Sequence, residues 1–267
     1  MAEIVNNMVV QSLWIGSELS KVEQLCIRSF IDHGHHFHLY VYQEVAGVPP
    51  GTTLLDARCV LPEEAIFSYP DGWGKGSFAG FADHFRVELI HQLGGWWVDM
   101  DVVCLRPFEL GQNTVICSSF EGEHGVLVNA NIFKMPAGNR LTGECLNRLH
   151  QIDIKNAYFG EAGPILFQHV VRDLNLEKQV VPYHFFNPIY WRYTNELILG
   201  IQSLGDRLKE SIRPFLRADT MQGRRVLHDS YAVHLWNEVW RQGNLDKNGH
   251  YRPSSLFEKL KRKHGVK

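Results

Sequence analysis

The sequence predicts an α/β domain, with a mostly parallel sheet and helices packed against it. Three observations carry this expectation. Residues 9–15, 18–30 and 37–42 read as strand, helix and strand, a β-α-β opening of the kind that feeds a parallel sheet. Residues 78–93 place Phe78, Phe81, Ala82, Phe85 and Leu89 at three- and four-residue spacing, which gives one apolar helical face. The 267 residues, 45% hydrophobic and 21% charged, suffice for one domain with a proper core.

In chain order, the first strand closes at Trp14-Ile15-Gly16, and the helix after it alternates polar and apolar residues at helical spacing. His33, His35, His36 and His38 have the composition of a metal cluster. No Cys or carboxylate completes a ligand set, and His36 and His38 alternate with apolar residues, so a place in the second strand is the expected role. Pro49-Pro50-Gly51 marks a turn, and residues 56–67 form a connector with a short helical piece. Residues 68–76 are rich in glycine and carry Tyr69, Trp73 and Lys75, a composition that suits a mobile loop over a substrate.

The helix over 78–93 ends at Gly94-Gly95, which tolerate the positive φ of a helix stop. Trp96-Trp97-Val98 then reads as a short buried strand that delivers Asp99 and Asp101. Residues i and i+2 of an extended segment point the same way, so both carboxylates are expected to face one ligand. Burying two carboxylates needs a counter-charge, and oxygen ligands favour Mg or Mn. Asp83 and Arg86, three residues apart on the same helix, are neighbours on one face.

Further strands are expected over 102–105, 114–118 and 126–133, with helices over 139–150 and 165–172. Asn129 and Asn131 sit inside the third of these strands, where Asn is a poor fit, and this suggests polar work. Glu161-Ala162-Gly163-Pro164 opens the second helix; Pro suits a first helical turn, which leaves the acidic neighbour unexplained. Residues 182–195 are rich in aromatics, which fill cores and also pack on the apolar faces of sugars; core is the expected role for most of them. A last strand is expected over 230–236, and Lys259 to His264 reads as a solvated basic helix end able to touch anionic lipid.

The run Ala82-Asp83-His84-Phe85-Arg86, followed by Leu93-Gly94-Gly95-Trp96-Trp97-Val98-Asp99-Met100-Asp101, resembles the DXD sugar-binding region of retaining glycosyltransferases. That family includes bacterial capsule and lipopolysaccharide transferases, α-1,4 transferases and glucosylating toxins. The resemblance is strong over residues 75–108 and looser elsewhere. It implies the A-type glycosyltransferase fold, with a Rossmann-like nucleotide-binding sheet, as a single domain over 1–267. Within it, 1–110 would bind the nucleotide-sugar, and 111–267 would form the acceptor-binding and C-terminal part.

By the same resemblance Asp99 and Asp101 would hold Mn or Mg, with His234 closing the site over metal and diphosphate. Asp83 would accept a ribose or sugar hydroxyl, and Arg86 would donate to one or fix Asp83. Trp14, Ile15 and Gly16 would contact the base. Lys75, Trp97, Trp236 and Asn237 complete the expected donor contacts, and Asn131 and Glu161 join the catalytic group. Trp97 stands where the family commonly has Tyr, so a hydroxyl contact would be lost and stacking retained. The implied activity is transfer from a nucleotide-sugar, expected to be a UDP-sugar, to a glycan or lipid-linked glycan with retention of configuration. A protein acceptor is the alternative.

The net charge of −2 gives no general nucleic-acid signature, and no nucleic-acid partner is expected. The start Met1-Ala2-Glu3-Ile4 leads to no expected signal peptide, and five cysteines without CxxC spacing suit reduced thiols. A cytoplasmic location is expected, with the basic end able to make peripheral contact at the inner membrane face. Two readings of other classes compete. A haloacid-dehalogenase-type phosphatase also uses a strand and Asp-x-Asp, but near the N-terminus and with a later acidic pair; this chain has no Asp-Asp. A non-catalytic carbohydrate-binding protein would need no turnover, and an assay separates it.

Overall fold

The computed structural model describes residues 8–216 and 221–267. Its centre is a six-stranded, mostly parallel sheet flanked by helices, as expected. The strands are β1 (Val9–Trp14), β2 (His36–Val41), β3 (Thr53–Asp56), β4 (Gly95–Val98), β6 (Val115–Phe120) and β7 (Val126–Met135), in the order β3-β2-β1-β4-β7-β6. A separate ribbon pairs β5 (Val102–Cys104) with β8 (Ala232–His234). Only β7 runs against the rest of the main sheet.

Both faces of the sheet are covered, which explains its apolar strands. Successive residues point to opposite faces, so the Trp96-Trp97 pair divides between two cores. Trp96 joins Val10, Phe37 and Phe30 on the side of α1 (Lys21–Asp32). Trp97 joins Phe85, Phe133 and Phe167 on the side of α2 (Ala79–Leu93), α3 (Arg140–Leu149) and α4 (Leu166–Asp173). Helix α1 starts at a capping box in which Ser20 and Glu23 bond reciprocally. Gly94 ends α2 at φ 67°, and a Cβ there would strike the Ala137 backbone, so this stop needs glycine.

Several expectations are corrected. β3 lies at the sheet edge, mostly exposed and without an alternating pattern, and was not anticipated. Helices α5 (Leu204–Leu216) and α6 (Asn237–Gln242) were not anticipated either. The last strand is not a member of the parallel sheet: β8 pairs antiparallel with β5, with Val102 opposite His234. The basic C-terminal helix α7 (Leu256–Lys263) is not simply solvated. Phe257 and Leu260 join a third core, Lys261 is buried against Glu258, and His264 is buried against Asp32. Lys259, Arg262 and Lys263 remain exposed. None of the five cysteines is in a disulfide. No helix among the described residues is long and apolar enough to cross a membrane.

Candidate active site

The carboxyl ends of β1 and β4 open into a cavity of about 880 Å³, the place where open α/β sheets gather ligands. Its floor is built by α2 and by the turn after β4. The turn corrects one premise: Asp99 to Asp101 is not extended. Val102 N–H donates to Asp99 O at 3.1 Å, closing a tight turn, and Asp99 N–H donates to Asn131 O at 2.9 Å. The two carboxylates converge because the chain bends there.

Arg86 organises one side of this cluster. Its Nη2 lies 3.2 Å from both Asp83 Oδ1 and Asp99 Oδ1. Its Nη1 donates to Ala130 O at 2.7 Å, and its Nε donates to Ala82 O at 3.2 Å. Asp83 and Arg86 are buried, so the pair is fixed in geometry. Burial pushes the Asp83 carboxyl up to about 6, against the pull of Arg86. Gly163 packs on that carboxylate, and a Cβ there would overlap it. This is the physical need behind the Gly-Pro sequence.

The ribbon organises the other side. Because β8 pairs with β5, His234 is carried to Asp101, and its Nε2 lies 3.0 Å from Asp101 Oδ2. Trp236 then adopts φ 60° and ψ 62°, a left-handed conformation that costs a bulky residue ~1–3 kcal/mol. The bend starts α6 so that Asn237 N–H donates to Asp101 Oδ2 at 2.6 Å. The Trp236 ring lies against the His234 imidazole, with centroids 4.0 Å apart, and its Nε1 donates to Ile189 O at 2.8 Å.

The two carboxylates are tuned in opposite directions. Burial raises Asp99, with Arg86 opposing. Burial also acts to raise Asp101, but the His234 charge and hydrogen bond and the Asn237 N–H outweigh it and hold Asp101 below the usual range. Ligand atoms of Asp99, Asp101 and His234 all lie within 4.8 Å of one another. His234 Nδ1 is buried without a hydrogen-bond partner among the described residues. Two carboxylates and an imidazole at this spacing fit a hard divalent cation such as Mn or Mg.

Of the residues expected from sequence, the cavity lining contains Trp14, Ile15, Asp83, Arg86, Trp97 and Asp99. It also contains Asp101, Asn131, His234, Trp236 and Asn237. Gly16, Lys75 and Glu161 are not in the lining. Gly16 packs on the Trp14 indole. Lys75 is exposed, and its carbonyl accepts from Arg241 Nη1 at 2.5 Å. Glu161 turns back to accept Tyr158 N–H at 3.0 Å, which accounts for the acidic neighbour as a turn cap.

Trp97 has a polar partner as well as a stacking one. Its indole N–H donates to Asp99 Oδ1 at 2.7 Å, so the position keeps a polar contact. The Arg86 guanidinium lies over its ring at 5.2 Å. Asn131 is a buried amide braced by Asn187 and Cys117. The loop over 68–76 is tied to itself by Gly76 N–H to Tyr69 O and Tyr69 N–H to Ser77 O. Arg241 and Gln242 of α6 hold the Trp73 carbonyl, so this loop is fastened to the helix that caps Asp101. His35, one of the clustered histidines, accepts Phe108 N–H at Nε2.

Sequence reasoning missed Lys247, Ser119 and Glu121, which line the cavity together with Trp191, one of the aromatics of residues 182–195. Lys247 Nζ lies 3.0 Å from Glu23, the buried capping residue of α1. No local pattern marks Lys247, because its partner lies at the opposite end of the chain.

No protein-family model matches the chain, and no curated protein matches its sequence. Solved structures with a similar chain course include the PaToxG glycosyltransferase, at 12% identity and TM-score 0.44 over 64% of this chain and 74% of that one. The glycosyltransferase GlyE of Streptococcus pneumoniae TIGR4, without ligand, is similar at 13% identity and TM-score 0.43. That match covers 97% of this chain and 63% of GlyE. The WbbM bifunctional glycosyltransferase is similar at 11% identity and TM-score 0.40, over 98% of this chain and 52% of WbbM. The chain therefore spans less than two thirds of GlyE and about half of WbbM. Likeness at this level assigns no activity.

Proposed function

We propose that the protein is a metal-dependent glycosyltransferase that uses a nucleotide-sugar, a UDP-sugar in the first instance. One observation carries the reading. The Asp99, Asp101 and His234 cluster and the buried Asp83–Arg86 pair meet on the floor of one cavity at the carboxyl ends of the sheet. A cation bound by Asp99, Asp101 and His234 would supply Lewis-acid stabilisation of the departing diphosphate.

The chain's own groups do the rest. Asp83, locked by Arg86, is placed to accept a hydroxyl of the donor. Arg86 keeps Asp83 and Asp99 in register. Trp14 and Ile15, at the end of β1, form the wall for the base. The buried Trp14 Nε1 and Ser12 Oγ have no partner among the described residues, and both residues line the cavity. In the transfer, the bond between the anomeric carbon and the phosphate oxygen breaks. A bond from that carbon to the acceptor oxygen forms, and the hydroxyl proton passes to the leaving diphosphate. No side chain is assigned as a covalent nucleophile, which accords with retention by front-face displacement. A glycan or lipid-linked glycan acceptor and a cytoplasmic location belong to the same reading, with residues 1–110 supplying most donor contacts.

The test is a donor screen by released nucleotide in the presence of Mn. Release from one UDP-sugar, abolished by excess chelator, is the expected result. Release unaffected by chelator overturns the metal assignment. Binding without turnover points to the carbohydrate-binding alternative, and hydrolysis of phosphomonoesters alone points to the phosphatase.

A further inference from the structure

The cavity has a second polar wall, built by the β6–β7 hairpin and the turn at Trp191. The ladder between β6 and β7 slips between Ile116 and Ser118. Asn129 fills the slip. Its Oδ1 accepts the N–H of Ala130 at 2.8 Å and of Asn131 at 3.1 Å, groups the broken ladder leaves over. Bulges of this kind re-aim side chains beside binding sites.

From Asn129 a chain of hydrogen bonds runs along the wall. Asn129 Nδ2 donates to Ser119 Oγ at 3.1 Å, and Ser119 Oγ donates to Glu121 Oε1 at 2.6 Å. Trp191 Nε1 donates to Glu121 Oε2 at 3.0 Å. All four residues line the cavity that holds the acidic cluster. Every bond points toward Glu121, so its carboxylate is the terminal acceptor. Each carboxylate oxygen can take a second donor, so a ligand meeting Glu121 must present a hydroxyl or N–H, and an anionic ligand is repelled. Trp191 is held by its N–H, and the Arg192 guanidinium covers one face of its ring at 5.0 Å. Tyr190 meets the same ring edge-on with centroids 5.5 Å apart, and the half-buried part of the indole in the cavity lining is the part able to take a ligand. A fixed aromatic face beside a fixed carboxylate suits a ring with an apolar face and donor hydroxyls.

We propose that this wall is the acceptor subsite and takes a neutral saccharide, its ring on Trp191 and a hydroxyl donated to Glu121. The assignment rests on the glycosyltransferase reading and names its acceptor class. A bland alternative is that Glu121 merely ties the hairpin to the Trp191 turn.

The experiment measures nucleotide release from the active UDP-sugar with Mn, against methyl hexopyranosides, methyl glucuronide and a Ser/Tyr-containing peptide as acceptors. Transfer to neutral glycosides is expected, with glucuronide and peptide poor. In Glu121→Gln, which keeps the shape and removes the charge, and in Trp191→Phe, which keeps an aromatic ring but loses the indole N–H and part of its face, the acceptor KM should rise at least ~10-fold. The donor KM should stay within about twofold. Glu121→Gln should also narrow the gap between methyl glucoside and methyl glucuronide, a change that a tie within the hairpin does not produce. Unchanged acceptor KM in both variants, or preferred transfer to the peptide or the glucuronide, overturns the assignment alone. No nucleotide release from any donor overturns the transferase reading, and this assignment with it.

Discussion

Asp99 and Asp101 share one turn but belong to two differently built halves of the cluster. The Asp99 half is assembled from helix α2 and the turn after β4: Arg86 bridges Asp83 and Asp99, and Trp97 donates to Asp99 from two residues away. The Asp101 half is assembled from the far end of the chain, through the β5–β8 ribbon, His234 and the first N–H of α6. Burial leaves the Asp99 carboxyl raised, whereas the partners of Asp101 hold it low. Environments that drive two neighbouring carboxyls apart give them separate duties. In the proposed metal site a cation would relieve the charge of Asp99. Asp101 is already compensated, and it also fastens the C-terminal segment to the site.

The largest expected effects fall on turnover. Asp99→Asn and Asp101→Asn should each lower kcat by ~10²–10³, the loss typical of one preorganised electrostatic partner. Steady-state rates of both variants check this, and near-native turnover in both would make the pair structural. Their stabilities should separate the two halves. With metal removed, Asp99→Asn replaces a carboxylate whose charge burial disfavours, so its Tm should hold or rise. Asp101→Asn removes a charge that the fold stabilises, so its Tm should fall. Thermal melts in chelator decide, and equal shifts would erase the distinction.

His234→Ala is the next smaller test. Losing even an outer partner of a metal ligand commonly costs ~10–100-fold in affinity. Mn-dependent binding of UDP, measured by calorimetry, should weaken at least that much. Uridine binding should change little, because the proposed base wall at Trp14 and Ile15 is untouched. Equal loss for UDP and uridine would mean that the substitution disturbs the whole cavity.

The same division explains what could be read from the sequence. The Asp99 half lies within residues 78–101, where helical spacing, a glycine stop and a short strand are local patterns. Asp83, Arg86, Asp99 and the sheet around them were therefore legible. The bend that brings Asp101 toward Asp99 was not, because i, i+2 alternation assumes an extended chain. His234 was expected at the site through family resemblance, on a last strand over 230–236. It arrives by a different route, an antiparallel ribbon, because strand pairing is a non-local choice that a three-residue segment does not encode. Glu121 escaped notice, and Trp191 was legible only as one of an aromatic group, for a related reason. Each looks ordinary alone, and only the slipped register of β6 and β7 brings Asn129, Ser119 and Glu121 into line.

The smallest predicted effect concerns Asp83, which the Asp99 half buries outright. In the folded protein its carboxyl titrates at about 6, and in the unfolded chain near ~3.9. Between these values the unfolded chain has released the proton while the folded chain retains it. At this group the native state therefore binds more protons, and the contribution of Asp83 to stability falls as pH rises through this window. Above about pH 7 the decline should level off, because both states are then ionised. Asp83→Asn removes the titration. Near pH 4 the variant and the native protein should melt alike, and at pH 7 the variant should be the more stable. Arg86 limits the gain: it loses the Asp83 charge but keeps Asp99 and the carbonyls of Ala82 and Ala130. Melting curves from pH 4 to 7 in chelator test the argument. If the variant is the less stable at pH 7, the Arg86 pairing outweighs the burial penalty. Asp83 would then be a structural ion-pair partner, not a group held under strain for the donor.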